Sequence, residues 1–142
     1  MPNELVGSWE LLSRIDRTPK DEERAEPSLG ADPIAFLVFD RTGHFAVQFM
    51  KRDRTHTIDG AAAGANNSRA RGGYDAYFGA YTYDEPRREL KTRLAAALSP
   101  ENVGQEFIRR AAVERDILTL QLDTTAPNGE AVTRTLRWKR VA

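Results

Sequence analysis

The sequence predicts an all-β fold, an eight-stranded antiparallel up-and-down barrel that takes residues 1–142 as a single domain. Three observations predict it. Short segments of strand character recur along the chain, turn signals suited to hairpins separate them, and helical periodicity is almost missing. Even spacing and the lack of Greek-key-length crossovers favour a barrel over a sandwich. Eight strands enclose a space just wide enough for packed side chains or one small ligand.

The elements follow in order. Leu5 to Ile15 reads as the first strand, with Trp9, Leu11 and Ile15 on one face and Glu10 and Arg14 on the other. Residues 16–33 are charged, carry Pro19, Pro27 and Pro33, and read as a long loop. Within it Thr18-Pro19-Lys20-Asp21 has the residues to start one short helix, a capping Thr and a first-turn Pro. Ile34 to Phe39 is a continuous apolar run of buried-strand length, with Phe36, Leu37, Val38 and Phe39 as core candidates. Asp40-Arg41-Thr42-Gly43 turns the chain, and His44 to Lys51 returns as the third strand. Residues 52–73, rich in Ala, Gly and Asn, form a second long connection with a weak helix near Asp59 to Ala65.

Tyr74 to Asp84 is an aromatic strand, turned by Glu85-Pro86-Arg87 into a fifth, Arg88 to Leu98. After the loop Ser99-Pro100-Glu101-Asn102, Gln105 to Glu114 and Ile117 to Thr124 are the sixth and seventh strands, joined tightly at Arg115-Asp116. Pro127-Asn128-Gly129 is a hairpin turn, and Glu130 to Val141 is the eighth strand.

Composition excludes several function classes. There is no cysteine, so disulfides, thiolate nucleophiles and cysteine-ligated metals are out. That agrees with a reducing, cytoplasmic setting. Lys plus Arg and Asp plus Glu are 21 each and mixed along the chain, which argues against a nucleic-acid surface. No apolar stretch approaches the ~20 residues of a membrane helix, and Met1-Pro2-Asn3-Glu4 lacks the basic region and apolar run of a secretory leader, as a mature form with its leader removed also would. Asn66-Asn67-Ser68 fits the glycosylation pattern and, without a leader, reads as coincidence. His44 and His56 have no metal-ligand spacing and read as surface residues. Neither a nucleophile elbow nor a phosphate-binding loop is present, so no cofactor and no metal are expected.

Gly7-Ser8-Trp9 lies on the first strand, and the last strand ends Leu136-Arg137-Trp138-Lys139-Arg140. In a closed even-stranded barrel the first and last strands pair antiparallel, which brings Trp9 to Arg140 or Arg137. A cation over an indole contributes ~0.5–2 kcal/mol. Further segments come in the same order: Gly43 to Met50, Ala76 to Glu85, Val103-Gly104 through Arg109-Arg110, and the closing Leu136-x-Trp138-x-Arg140-Val141. On these residues the chain resembles the lipocalin-like domain proteins, relatives of the calycins, over nearly its whole length. The resemblance implies the barrel, with Gly7, Trp9 and Arg140 as its structural motif. It also departs from that pattern. Where the family often carries a His pair followed by an acid, this chain has Thr92, Arg93 and Ala95. Some barrels of this kind act as cyclases or isomerases, and an acid–base role resting on those histidines does not transfer.

Alternate residues of a barrel strand face its interior. That parity places Phe107, Arg109, Ala111 and Val113 of the sixth strand inside, with Leu118, Leu120 and Leu122 of the seventh. It also places Tyr77, Gly79, Tyr81 and Tyr83 of the fourth inside, and Leu90, Thr92, Leu94, Ala96 and Leu98 of the fifth. Gln48 competes for the interior with Phe45, Val47 and Phe49. The result is an apolar chamber with few polar anchors, the usual make-up of a small-molecule site. Arg109, Tyr77, Tyr81, Gln48, Thr92, Phe107 and Leu120 are therefore the candidate ligand-binding residues; Arg110 inside in place of Arg109 is the competing register. A guanidinium in such a row is costly unless it meets an acid or an anionic ligand group. The expected partner is a small apolar or weakly acidic molecule, with no nucleic acid and no membrane, and a homodimer is compatible with the sequence. The alternative is a cyclase or isomerase acting on a natural-product-like substrate in the same chamber. No catalytic residue is assigned, because the sequence places no His, Asp or Glu inside.

Overall fold

The computed structural model describes residues 3–62 and 66–141. Its strands are β1 (Gly7–Arg17), β2 (Glu23–Arg24), β3 (Ile34–Phe39), β4 (His44–Met50), β5 (Tyr74–Asp84), β6 (Glu89–Ala97), β7 (Glu106–Glu114), β8 (Ile117–Thr125) and β9 (Ala131–Arg140). Each pairs antiparallel with its neighbour in the order β2-β1-β3-β4-β5-β6-β7-β8-β9, and β1 also pairs with β9. That pairing closes the predicted barrel from β1 and β3 to β9, while β2 extends β1 at its Arg17 end. The interior holds the core: Leu37, Phe39, Phe45, Val47, Leu90, Leu94, Phe107, Leu118, Leu136 and Trp138 are all buried.

The long connections differ from the expected helices. Thr18 to Glu22 is a turn, in which the Thr18 N–H donates to the Glu22 carbonyl (2.9 Å) and the Glu22 N–H to the Thr18 hydroxyl (3.2 Å). The Thr caps a hairpin between β1 and β2 in place of a helix. Residues 59–62 are not helical either, and the remainder of the helix expected near Asp59 to Ala65 lies outside the described residues. The one helical element among the described residues is a single 3-10 turn, Pro100–Asn102. The run Ile34–Phe39 is not buried throughout. Ala35, Leu37 and Phe39 point inward, and Ile34 and Phe36 stand exposed on the outer wall.

Two β-bulges set which side chains enter the barrel. Along the β1–β9 seam Leu11 faces Trp138 and Ser13 faces Arg137, so Leu12 is an extra residue. Leu12 stands exposed and the parity of β1 flips after it. Trp9 is inside before the bulge, and Arg14 and Asp16 are inside after it. This reverses the expectation that Arg14 shares an outer face with Glu10. On β6, Gly79 faces Leu94 and Phe78 faces Ala96, so Ala95 is extra. The inward row therefore runs Leu90, Thr92, Leu94 and then Ala97, while Leu98 is exposed and Ala96 is only partly covered. Gly79 makes the second bulge feasible: a Cβ there would lie 1.9 Å from the Arg93 carbonyl oxygen.

The base of the barrel is sealed by the segment before β1. Trp9 is fully buried, and its indole N–H donates to the Leu5 carbonyl at 3.0 Å. The Arg140 guanidinium lies over the indole, its Cζ 4.2 Å from the ring centroid, and donates to the carbonyls of Val6 (2.8 Å) and Glu4 (3.0 Å). Arg137, the other cation considered for this place, is exposed on the outer wall. Gly7 has φ +142°, and a Cβ on it would come 2.6 Å from the Arg140 Nη1. Glycine is needed there both for its backbone conformation and for the room it leaves the guanidinium.

Candidate functional site

The barrel encloses a chamber lined by all eight of its long strands and by both long connections. The volume in which the centre of a water molecule can move inside it is about 80 Å³, several waters' worth or the core of one small molecule. Its deeper wall is apolar, built from Leu37, Phe39, Phe45, Val47, Leu90, Leu120, Leu136 and Trp138. Its outer half is polar. Glu26, Ser28 and Leu29 come from the first long connection and Gly60, Ala61, Asn67, Ser68 and Ala70 from the second, so both fold over the mouth.

Three arginines enter this chamber, and two are matched. Arg134 donates from Nε and Nη2 to the two carboxylate oxygens of Asp16, at 2.7 and 3.0 Å, with both side chains buried. Arg14 pairs with Glu26 at 3.0 Å and donates to the Gly30 carbonyl. Burial, and next the nearby charge of Arg134, push Arg14 down to about 10. Burial works to raise Glu26, but Arg14 and the Ser28 hydroxyl and N–H outweigh it and hold the carboxyl below its ordinary value. The link from Arg14 to Glu26 also ties the first connection to β1 across the mouth.

The third cation is Arg109 on β7. It lines the chamber, packs over the Phe107 ring at 4.7 Å, and donates to the carbonyls of Asn66 (2.8 Å) and Ile108 (3.2 Å). No carboxylate of the described residues pairs with it. Burial pushes its guanidinium down to about 10, with the Tyr77 phenol acting the other way. The neighbouring Arg110 points outward to Asp123, at 3.0 and 3.2 Å. Tyr77 stands edge-on to Phe107, ring centroids 5.9 Å apart, and its hydroxyl is raised by burial against the opposing charge of Arg109. Thr92, Phe107 and Leu120 also line the wall.

Two of the expected ligand residues are elsewhere. Tyr81 sits at the sealed base against Phe39, and its hydroxyl donates to the Asp40 carbonyl at 2.7 Å. Gln48 faces outward and hydrogen-bonds the Tyr74 hydroxyl, because Phe45, Val47 and Phe49 take the inner face of β4. Tyr83, expected inside with them, is only partly buried, and its hydroxyl donates to the Ala111 carbonyl.

Sequence reasoning missed Arg14, Glu26 and Arg134 as lining residues, and it also missed Asp75. Asp75 is buried, lines the chamber two positions before Tyr77, and therefore shares its parity. Its carboxylate hydrogen-bonds the Ser68 hydroxyl and accepts from the Ala76 N–H at 2.9 Å, and no cation of the described residues lies within ion-pair distance. Burial raises its pKa above the ordinary carboxyl value. A carboxyl raised on folding holds its proton more tightly in the folded chain. It therefore lowers stability as the pH rises from the unfolded value through the folded one. Asp75→Asn keeps the shape without the buried charge and is expected to raise Tm at pH 7, with the gain vanishing as the pH falls towards ~4. Thermal melts across that range check this; a variant less stable than the wild type at pH 7 contradicts it.

His44 and His56 are both exposed. Among the described residues no group of three or more His, Cys, Asp or Glu is placed to hold a metal, and no helix is long and apolar enough to cross a membrane. The glycosylation-like triplet is structural here: the Asn66 side chain bonds the backbone of Ile108 in both directions (3.0 and 3.1 Å) and Ser68 holds Asp75.

A closed antiparallel barrel, sealed at one end by a tryptophan under an arginine and open to a lined chamber at the other, defines the calycin class of small-molecule-binding barrels. The model of the lipocalin-like domain family matches residues 6–141, and the chain belongs to that family. No curated protein matches it.

Proposed function

We propose that the protein binds a small, mainly apolar molecule carrying an anionic or carbonyl oxygen, held in the chamber with that oxygen at Arg109 and Tyr77. The observation that carries this reading is how the three arginines of the chamber are partnered. Arg14 and Arg134 each have a carboxylate partner, whereas Arg109 has none among the described residues and meets backbone carbonyls, the Phe107 ring and the Tyr77 phenol. A guanidinium in an apolar chamber is stabilised by an anionic partner, and a ligand oxyanion supplies one. The apolar wall from Leu37 to Trp138 fits the rest of such a molecule.

Binding of a panel of short fatty acids and aromatic acids to the wild type and to Arg109→Met tests this. Acidic ligands are expected to lose about tenfold or more in affinity on the substitution, the scale of one charge-assisted hydrogen bond, while uncharged analogues change little. Equal losses for both kinds of ligand, or none, contradict the role of Arg109. Failure of every ligand to bind the wild type contradicts the reading altogether.

One observation favours a second reading, an isomerase or cyclase in the same chamber. Asp75 supplies an acid–base group beside two donors, Tyr77 and Arg109, that suit a developing enolate oxygen. Turnover of a ketone substrate that is lost in Asp75→Asn while binding persists would distinguish enzyme from carrier.

A further inference from the structure

We infer that the chamber's oxyanion site has a third member, Asp75, which enters as the protonated acid, so that an anionic ligand is taken up together with one proton. This rests on the reading of Arg109 and Tyr77 as the oxyanion's anchors. The placement is geometric. Asp75 and Tyr77 occupy successive inward positions of β5, and the Tyr77 ring meets Phe107, on which the Arg109 guanidinium lies. The three polar groups thus line one side of one chamber.

A purely structural buried carboxylate is normally paired with a cation. The chamber shows that rule at work twice, in Asp16 with Arg134 and in Glu26 with Arg14. Asp75 is the exception. One carboxylate oxygen accepts from a hydroxyl and the other from a backbone N–H, and no cation of the described residues forms an ion pair with it. Protonated, it is a hydrogen-bond donor to a ligand oxygen. Ionised, it repels the same oxygen across a chamber of low polarity. The groups that face this part of the chamber are Arg14 from β1, Glu26, Ser28, Asn67 and Ser68 from the connections, Tyr77 from its own strand, Arg109 from β7 and Arg134 from β9. Arg14 and Arg109 remain charged below pH 9 and Glu26 remains ionised above the ordinary carboxyl range, so Asp75 is the group free to change.

The ligand class that follows is an oxyanion on an apolar body, bound more tightly as the pH falls. Benzenesulfonate is a suitable probe, because it stays ionised across the whole range and any proton taken up belongs to the protein. Calorimetric titration of the full chain from pH 4.5 to 8.5, in buffers of different ionisation enthalpy, measures both affinity and proton uptake. The expected result is uptake approaching one proton per ligand at neutral pH. Affinity should fall at least about tenfold between the acid and alkaline ends. Asp75→Asn, which removes the titrating group and keeps a donor, is expected to bind with neither proton uptake nor pH dependence. His44→Gln and His56→Gln, both remote from the chamber, are expected to keep the wild-type profile.

Wild-type binding that is independent of pH, or a pH dependence that survives in Asp75→Asn, overturns the inference and leaves the binding reading standing. No binding by the wild type at any pH overturns both. Should Asp75→Asn lose its fold, Asp75→Glu decides the matter, since it retains the titrating carboxyl and is expected to retain the proton uptake.

Discussion

Replacing Trp9 by Ala lowers the stability of the barrel by about 3–5 kcal/mol, the scale for removing a fully buried indole. Trp9 has no exposed surface, and its removal takes away three things together. The indole fills the base of the core. Its N–H satisfies the Leu5 carbonyl, and its face holds the Arg140 guanidinium, which in turn fixes the carbonyls of Glu4 and Val6. Urea denaturation is the measurement: the midpoint shifts sharply while the slope, set by the surface exposed on unfolding, stays nearly constant. A loss below about 1 kcal/mol would mean that the base relaxes around the gap, and that the seal does not depend on the ring.

Asp16→Asn is expected to cost about 3–5 kcal/mol, because it leaves the Arg134 guanidinium buried without its counter-charge. The pair is bidentate at 2.7 and 3.0 Å, with side-chain exposures of 8% for Arg134 and 1% for Asp16, so water cannot replace the lost carboxylate. The double variant Asp16→Leu with Arg134→Met is expected to recover most of that loss, since a matched apolar pair avoids the desolvation that both ions suffer. Thermal or urea unfolding of the two single variants and the double one forms the cycle. A double variant as unstable as the sum of the singles would show that the two residues act independently.

The barrel was legible in the sequence because its strands and turns are local signals. Ile34–Phe39 and Tyr74–Asp84 have the expected bounds, and the others shift at their ends. The chamber was legible where a strand alternates without interruption. Phe107, Arg109, Leu120 and Leu122 lie in unbroken rows, and parity placed each of them on the wall. It failed at the bulges. One extra residue at Leu12 turns Arg14 and Asp16 inward, and one at Ala95 replaces Leu98 by Ala97. A bulge depends on the partner strand, which a single segment does not encode. Gly79 was the available clue to the second one, as a glycine inside a strand pattern marks a close backbone approach. Glu26, Ser28, Asn67 and Ser68 belong to connections without periodicity, so nothing in their spacing tells which of them reach the chamber. Asp75 differs from all of these. It shares the parity of Tyr77, and the same alternation that placed the tyrosine places the acid.

The seam between β1 and β9 has a consequence for how the chain is made. Trp9 faces Arg140 across it, so the two strands that close the barrel lie at opposite ends of the sequence. Every neighbouring pair from β1 through β8 can form before β9 has been synthesised. The sheet, however, keeps two unpaired edges, β1 and β8, until residues 131–140 have been synthesised. Such edges template pairing with other chains, and contacts of this sequence separation form slowly. Until then the barrel is an open sheet with its apolar interior uncovered. The last strand acts as a clasp that ends the exposure in one step.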